Sequence, residues 1–169
     1  MALRQIRKDG DEILRKRSRE VLQDDIIGEK IQSLIDDMIE TMRHYNGVGL
    51  AAVQVGVLKR VVVIDVDDGH GVYVLINPVI LKTKGERECD EGCLSFPNEF
   101  GKVLRPDEVT VEFFDRTGKM TKLKAKELLA QAICHECDHL EGDLFIDKVI
   151  PGTLEHVNPE NWKDKADRV

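Results

Sequence analysis

The stretch AICHECDHLEGDLF, residues 132–145, constrains the fold of this chain more than any other. It contains the pattern H-E-x-x-H, with histidines at positions 135 and 139. On an α-helix successive residues rotate by about 100°, so His135 and His139 project from one face, one above the other, and can share a cation. With the cation direction taken midway between them, Glu136 lies about 80° to one side. That is too far round for a natural third ligand, yet close enough to reach a water beside the ion, take its proton and later return it. The surrounding run KELLAQAICHECDHL keeps helical apolar spacing, predicting a helix from about Lys126 to Leu140. Cys134 and Cys137, three residues apart, share a face pointing about 120–180° away from the cation and are read as buried small hydrophobes.

A second helix is predicted over residues 29–44, EKIQSLIDDMIETMRH, where Ile31, Leu34, Ile35, Met38 and Met42 line one face and Asn46 and Gly47 stop it. Residues 11–21 read as a short helix or turn, and a glycine-rich loop, NGVGLAAVQVG, follows the first long helix. Between the two helices, KRVVVIDV and VYVLINPVIL read as strands, and DEVTVEFFD turns through RTG into KMTKLKAK as a hairpin. Strands grouped between helices predict an α+β fold, with mixed or antiparallel strands packed around the H-E-x-x-H helix and an N-terminal amphipathic helix. Residues 1–150 read as one catalytic domain. Pro151 and Gly152 break the pattern, and residues 151–169 read as a polar, flexible tail.

Length, charge and cysteine usage narrow the setting. A chain of 169 residues suits one domain. The formal net charge of −7 argues against a general nucleic-acid binder, so DNA is not an expected partner, while a local basic patch stays compatible. Apolar runs such as RVVVIDV are too short to span a bilayer, so no membrane partner is expected. The charged start MALRQIRKDGDEILRKRSRE has no signal-peptide pattern, which points to the cytoplasm and to reduced cysteines that bind metal, catalyse or lie buried.

Two histidines leave a metal site incomplete, since catalytic sites of this kind usually have three protein ligands and one open position. A histidine six residues after His139 would be one solution, but position 145 is Phe145. Glu155 and Glu160 lie in the polar tail without a convincing helix to present them. The stronger candidate lies upstream in EGCLSFP, residues 91–97, where a thiolate would complete a Cys/His/His set; spacing alone does not choose Cys93 over Cys89. A competing arrangement pairs Cys89 and Cys93 with Cys134 and Cys137 as a four-cysteine structural zinc site, which requires a knuckle where the pattern predicts a helix.

Three separated motifs, GVGLAAVQ at 47–54, EGCLSFP at 91–97 and HECDH at 135–139, together resemble the peptide deformylase family, with GDEILR and GDLFID as framing features. The resemblance spans roughly residues 5–149 and implies a metal-dependent hydrolase that removes the N-formyl group from the formylmethionine of new proteins. It implies Cys93, His135 and His139 as metal ligands, Glu136 as general acid and base, and the side-chain amide of Gln54 and backbone N–H of Leu94 as oxyanion donors. It implies one divalent ion, Fe2+ natively with Zn2+, Ni2+ or Co2+ as substitutes. The partners implied are a formyl-methionyl nascent peptide and, by the family's role, the ribosome. The peptide is expected to lie extended beside Gly49 and the 91–97 segment, including Glu91 and Gly92, with Val48, Leu50 and Ala132 lining an apolar pocket. Phe100 stands where some relatives carry an arginine, so any grip on substrate there is apolar. Arg105 is a candidate partner for Asp138. Two other functions stay in view: an H-E-x-x-H endopeptidase, and a zinc-stabilised interaction module.

Overall fold

The computed structural model describes residues 1–164. In chain order the main elements are α1 (Glu29–His44), β1 (Gly49–Ala51), β2 (Val61–Ile64), β3 (Tyr73–Lys84), β4 (Arg87–Cys93), β5 (Phe96–Arg105), β6 (Glu108–Phe114), β7 (Met120–Lys126), α2 (Glu127–Glu141) and β8 (Glu155–His156). Both long helices stand within a residue of where apolar spacing puts them. α1 starts after Gly28 with an acid in its first turn and ends with Arg43 and His44, charges that complement the helix dipole. Asn46, at φ 55°, turns the chain out of it.

Five strands form one antiparallel sheet in the order β1-β2-β3-β6-β7, and three form a second in the order β4-β5-β8. The run VVVI is apolar throughout because β2 is covered on both faces. Val61 and Val63 pack with α1, whereas Val62 and Ile64 pack with α2. β6 alternates instead: Val109, Val111 and Phe113 face the α2 side, and Glu108, Thr110 and Glu112 face out. The fold is therefore α+β with antiparallel sheets around the two helices, as expected.

Two features depart from the sequence reading. The β4–β5 hairpin was not marked by apolar alternation, because Gly92, Pro97 and Gly101 interrupt it and buried Glu91 and Arg105 look like surface charges. It covers a small core of Leu14, Cys89, Cys93, Phe96, Val103, Leu144 and Phe145. The expected flexible tail is in part a strand. β8 pairs with β5 at Glu99 and Phe100, Val157 is buried, and its N–H donates to the Asn98 carbonyl at 2.7 Å. Residues 165–169 of that tail lie outside the described residues.

Candidate metal centre

α2 lies against β1 and β2 with His135, Glu136 and His139 all buried. The i, i+4 spacing does what helical geometry demands: the two imidazoles present Nε2 to each other at 3.2 Å. The third donor arrives from the other sheet. β4 pairs regularly with β5 up to Gly92, then shifts register, and Cys93 at its end brings Sγ to 3.4 Å from His139 Nε2. One donor atom from each of Cys93, His135 and His139 lies within 4.8 Å of the others. Among the described residues this is the one such cluster, and neither Cys89, Cys134 nor Cys137 belongs to it.

The donors are prepared for a cation. His135 Nδ1–H donates to Glu91 Oε1 at 2.5 Å, which fixes the tautomer and leaves the Nε2 lone pair free. Burial pushes His139 well below its ordinary pKa, keeping it neutral with a lone pair to offer. Burial pushes the Cys93 thiol far above its ordinary range, and the charge of Glu136 adds to this. Without a cation the sulfur would keep its proton, so a thiolate here calls for a positive partner. Both carboxylate oxygens of Glu136 are buried and without a partner, and burial pushes this group well above the ordinary carboxylate range. A buried, unpaired acid is costly, which marks the spot where something else belongs. Two imidazole nitrogens, one sulfur and an orphaned carboxylate beside them fit a divalent ion with one open position.

Glu91, in the segment expected beside the substrate, turns its side chain into a buried network. It is fully buried and gripped by Arg105 through Nη2 at 2.5 Å and Nε at 3.0 Å, with Gln131 at 3.2 Å. Burial alone would raise its pKa; the His135 ring beside it and hydrogen bonds from His135 and Arg105 override that and hold it at about 2. Arg105 also donates to Asp138 at 2.8 Å, the expected pair, and Lys148 reaches Asp138 at 3.0 Å. The sequence reading missed the larger role of Arg105 as the clamp on Glu91. Charged residues inside a short strand were the available signal.

The other expected site residues divide into two groups. Gly49 lies against the acid: a Cβ there would sit 3.0 Å from Glu136 Oε1, so no larger residue fits without moving it. Gln54 is fully buried, its Nε2 3.6 Å from the Cys93 sulfur. Leu94 follows Cys93 directly and buries its side chain in the α1 core. Leu50 joins that same core, Ala132 is buried in the cluster around α2, and Val48 is half-buried against it. Phe100 lies opposite Gly92 on the paired strand. Its side chain is buried and its ring covers Gly92, where a Cβ would meet it at 2.6 Å.

The chain is similar along most of its length to proteins of one family. A profile of the family described as Polypeptide deformylase matches residues 3–154. A peptide deformylase of Acetivibrio thermocellus is 59% identical over 150 residues, covering 89% of this chain and 85% of that protein. One of Agathobacter rectalis is 50% identical over 164 residues, covering 97% of this chain and all of its own length. The crystal structure of a peptide deformylase from Legionella pneumophila superposes with a TM-score of 0.84 at 43% identity, covering 89% of this chain and 88% of that one. With a buried Cys/His/His set flanked by an unpaired acid, and matches that run along nearly its whole length, this chain belongs to the polypeptide deformylase family, a family of metal-dependent hydrolases.

Proposed function

We propose that Cys93, His135 and His139 hold one divalent ion and that Glu136, Gln54 and Leu94 carry out formyl hydrolysis around it. The activity is that of the family, removal of the N-formyl group from a formylmethionyl peptide with release of formate. The observation that carries the residue roles is Glu136, buried with both oxygens free, next to three converging donor atoms and under the glycine of an edge strand.

A divalent ion held by Cys93, His135 and His139 would supply a Lewis acid that makes water nucleophilic at neutral pH and polarises the formyl group. Glu136 takes the proton of the attacking water, whose oxygen bonds to the formyl carbon. Charge gathers on the formyl oxygen and is met by the Gln54 amide and the Leu94 backbone N–H. As the carbon–nitrogen bond breaks, Glu136 hands its proton to the leaving amine, so formate and a free N-terminus result. β1 is the end strand of its sheet, which leaves one edge at Gly49 for an extended peptide to pair with. The apolar side chains around it, Val48 and Leu50, suit a methionine.

Fe2+ is the native ion in this reading, with Zn2+, Ni2+ and Co2+ as workable substitutes, because imidazole and thiolate donors accept each of them. The substrate is a nascent chain at the ribosome in the cytoplasm. No helix of the described residues is long and apolar enough to cross a membrane. Anaerobically purified, metal-loaded protein should release formate from formyl-Met-Ala and leave internal peptide bonds intact. Cleavage of internal bonds without formate release would mean an endopeptidase instead.

A further inference from the structure

A primary amide has one acceptor oxygen and two N–H donors, and nearly all of this capacity is assigned at Gln54. Its oxygen accepts the Ala51 backbone N–H at 3.0 Å, which settles which end of the amide is oxygen. One N–H of Nε2 is directed to Ser95 Oγ at 3.0 Å. The other is directed to the Cys93 sulfur at 3.6 Å, an ordinary length for a sulfur acceptor. A single donor therefore remains facing the ligand set, aimed by the two shorter bonds. Ser95 is fully buried and stands immediately after Leu94. One N-terminal stretch braces both residues from behind, since Asp9 N–H donates to the Ser95 carbonyl at 2.9 Å and Arg7 N–H to the Gln54 carbonyl at 2.7 Å. Ile6, just before, is buried in the same core cluster as Leu94.

We propose that Ser95 is a positioning residue: its hydroxyl locks the Gln54 amide so that the remaining N–H is already aimed where the formyl oxygen becomes negative. This rests on the deformylase reading of the site. The terminal torsion of a glutamine is broad, so one bond at Oε1 leaves the amide loosely held and a second at Nε2 fixes it. Preorganised donors matter because reorienting them during reaction costs part of their benefit.

The test uses full-length, metal-loaded protein. Ser95→Ala should lower kcat on formyl-Met-Ala about tenfold, less than the roughly 10²–10³-fold typical of deleting an oxyanion donor, with KM and metal content unchanged. In a Gln54→Ala background the same substitution should cost nothing further, because the residue acts through the amide. A readout independent of turnover is the Gln54 side-chain amide in 15N–1H spectra of the zinc-loaded protein. The two Nε2 protons should be well separated and slow to exchange in the parent, and closer together and faster in Ser95→Ala. An unchanged kcat, additive losses with Gln54→Ala, or an unaltered amide signal would overturn the proposal. Loss of metal from Ser95→Ala would also overturn it, by moving the role of Ser95 to Cys93. If the parent protein itself released no formate, the deformylase reading would fall, while the amide spectra would still judge the lock.

Discussion

α1 and α2 are almost equal in length, yet they bury opposite kinds of chemistry. α1 turns Ile31, Leu34, Ile35, Met38 and Met42 inward, and its buried acid, Asp37, is satisfied by Ala2 N–H and Arg4, while half-buried Glu40 leaves one oxygen without a partner. α2 buries Leu129, Ile133 and Leu140 but also Gln131, His135, Glu136 and His139. Each large apolar side chain that α1 removes from water stabilises the fold by about 1.5–3 kcal/mol. An unpaired buried acid such as Glu136 costs free energy instead. A helix selected for stability alone would look like α1. The polar face of α2 is what the proposed ion site and its reaction would account for.

The contrast can be broken at four points. The largest effect is expected at Glu136→Gln. Activity should fall by about 10²–10⁴-fold, as for loss of a general acid–base group, while metal stays bound and the thermal midpoint does not drop. Formate release, metal analysis and a melting curve measure all three, and a variant retaining most of its rate would show that Glu136 is not the proton carrier.

Glu91→Gln comes next. It leaves Arg105 buried beside a neutral partner, which should cost about 3–5 kcal/mol, as breaking buried pairs does. The pH dependence gives the sign. Glu91 is held at about 2 in the folded chain, below the ordinary 4.5. Its contribution is therefore complete above about 4.5 and lost as pH falls towards about 2. The stability gap between parent and Glu91→Gln should close over that interval in acid-unfolding measurements. A constant gap would mean that the carboxylate charge is not what matters.

On the other helix, Met38→Ala should lower stability by about 3 kcal/mol through the cavity it leaves, with kcat and metal content unchanged. Denaturant titration beside a formate assay separates the two outcomes, and a lost rate would show that α1 also supports the site. The smallest effect is expected at Cys134→Ala. Cys134 is nearly buried, and burial raises its thiol to about 11, so it stays an uncharged space-filler. Full metal content should persist with at most about 1–2 kcal/mol of stability lost. Metal loss from that variant would revive the four-cysteine arrangement.

Much of this architecture could be read locally. The 3.6-residue rhythm of 29–44 and 126–140 placed both helices. The VVVI run marked a strand, and the i, i+4 histidines share one face of a helix. Those inferences hold because each depends on residues within one or two turns or one strand. Helical rotation had already turned Cys134 and Cys137 away from the cation direction.

What lay beyond reach was whatever depends on two segments meeting. Cys89 and Cys93 are four apart on one strand and both enter the same small core, so neither parity nor burial separates them. The register shift after Gly92 does, by delivering the second sulfur to His139. Glu91 and Arg105 had separate readings, one beside the substrate and one beside Asp138, until tertiary packing closed them with Gln131 into one buried network on His135. Ser95 had no separate role until Gln54 arrived beside it. The sequence by itself determined which chemical groups were present and which faces of the helices they occupy, because local backbone geometry has a fixed period. Only the tertiary structure decided which of those groups touch, because contact between residues forty positions apart is set by strand register and packing, which leave no local periodic trace.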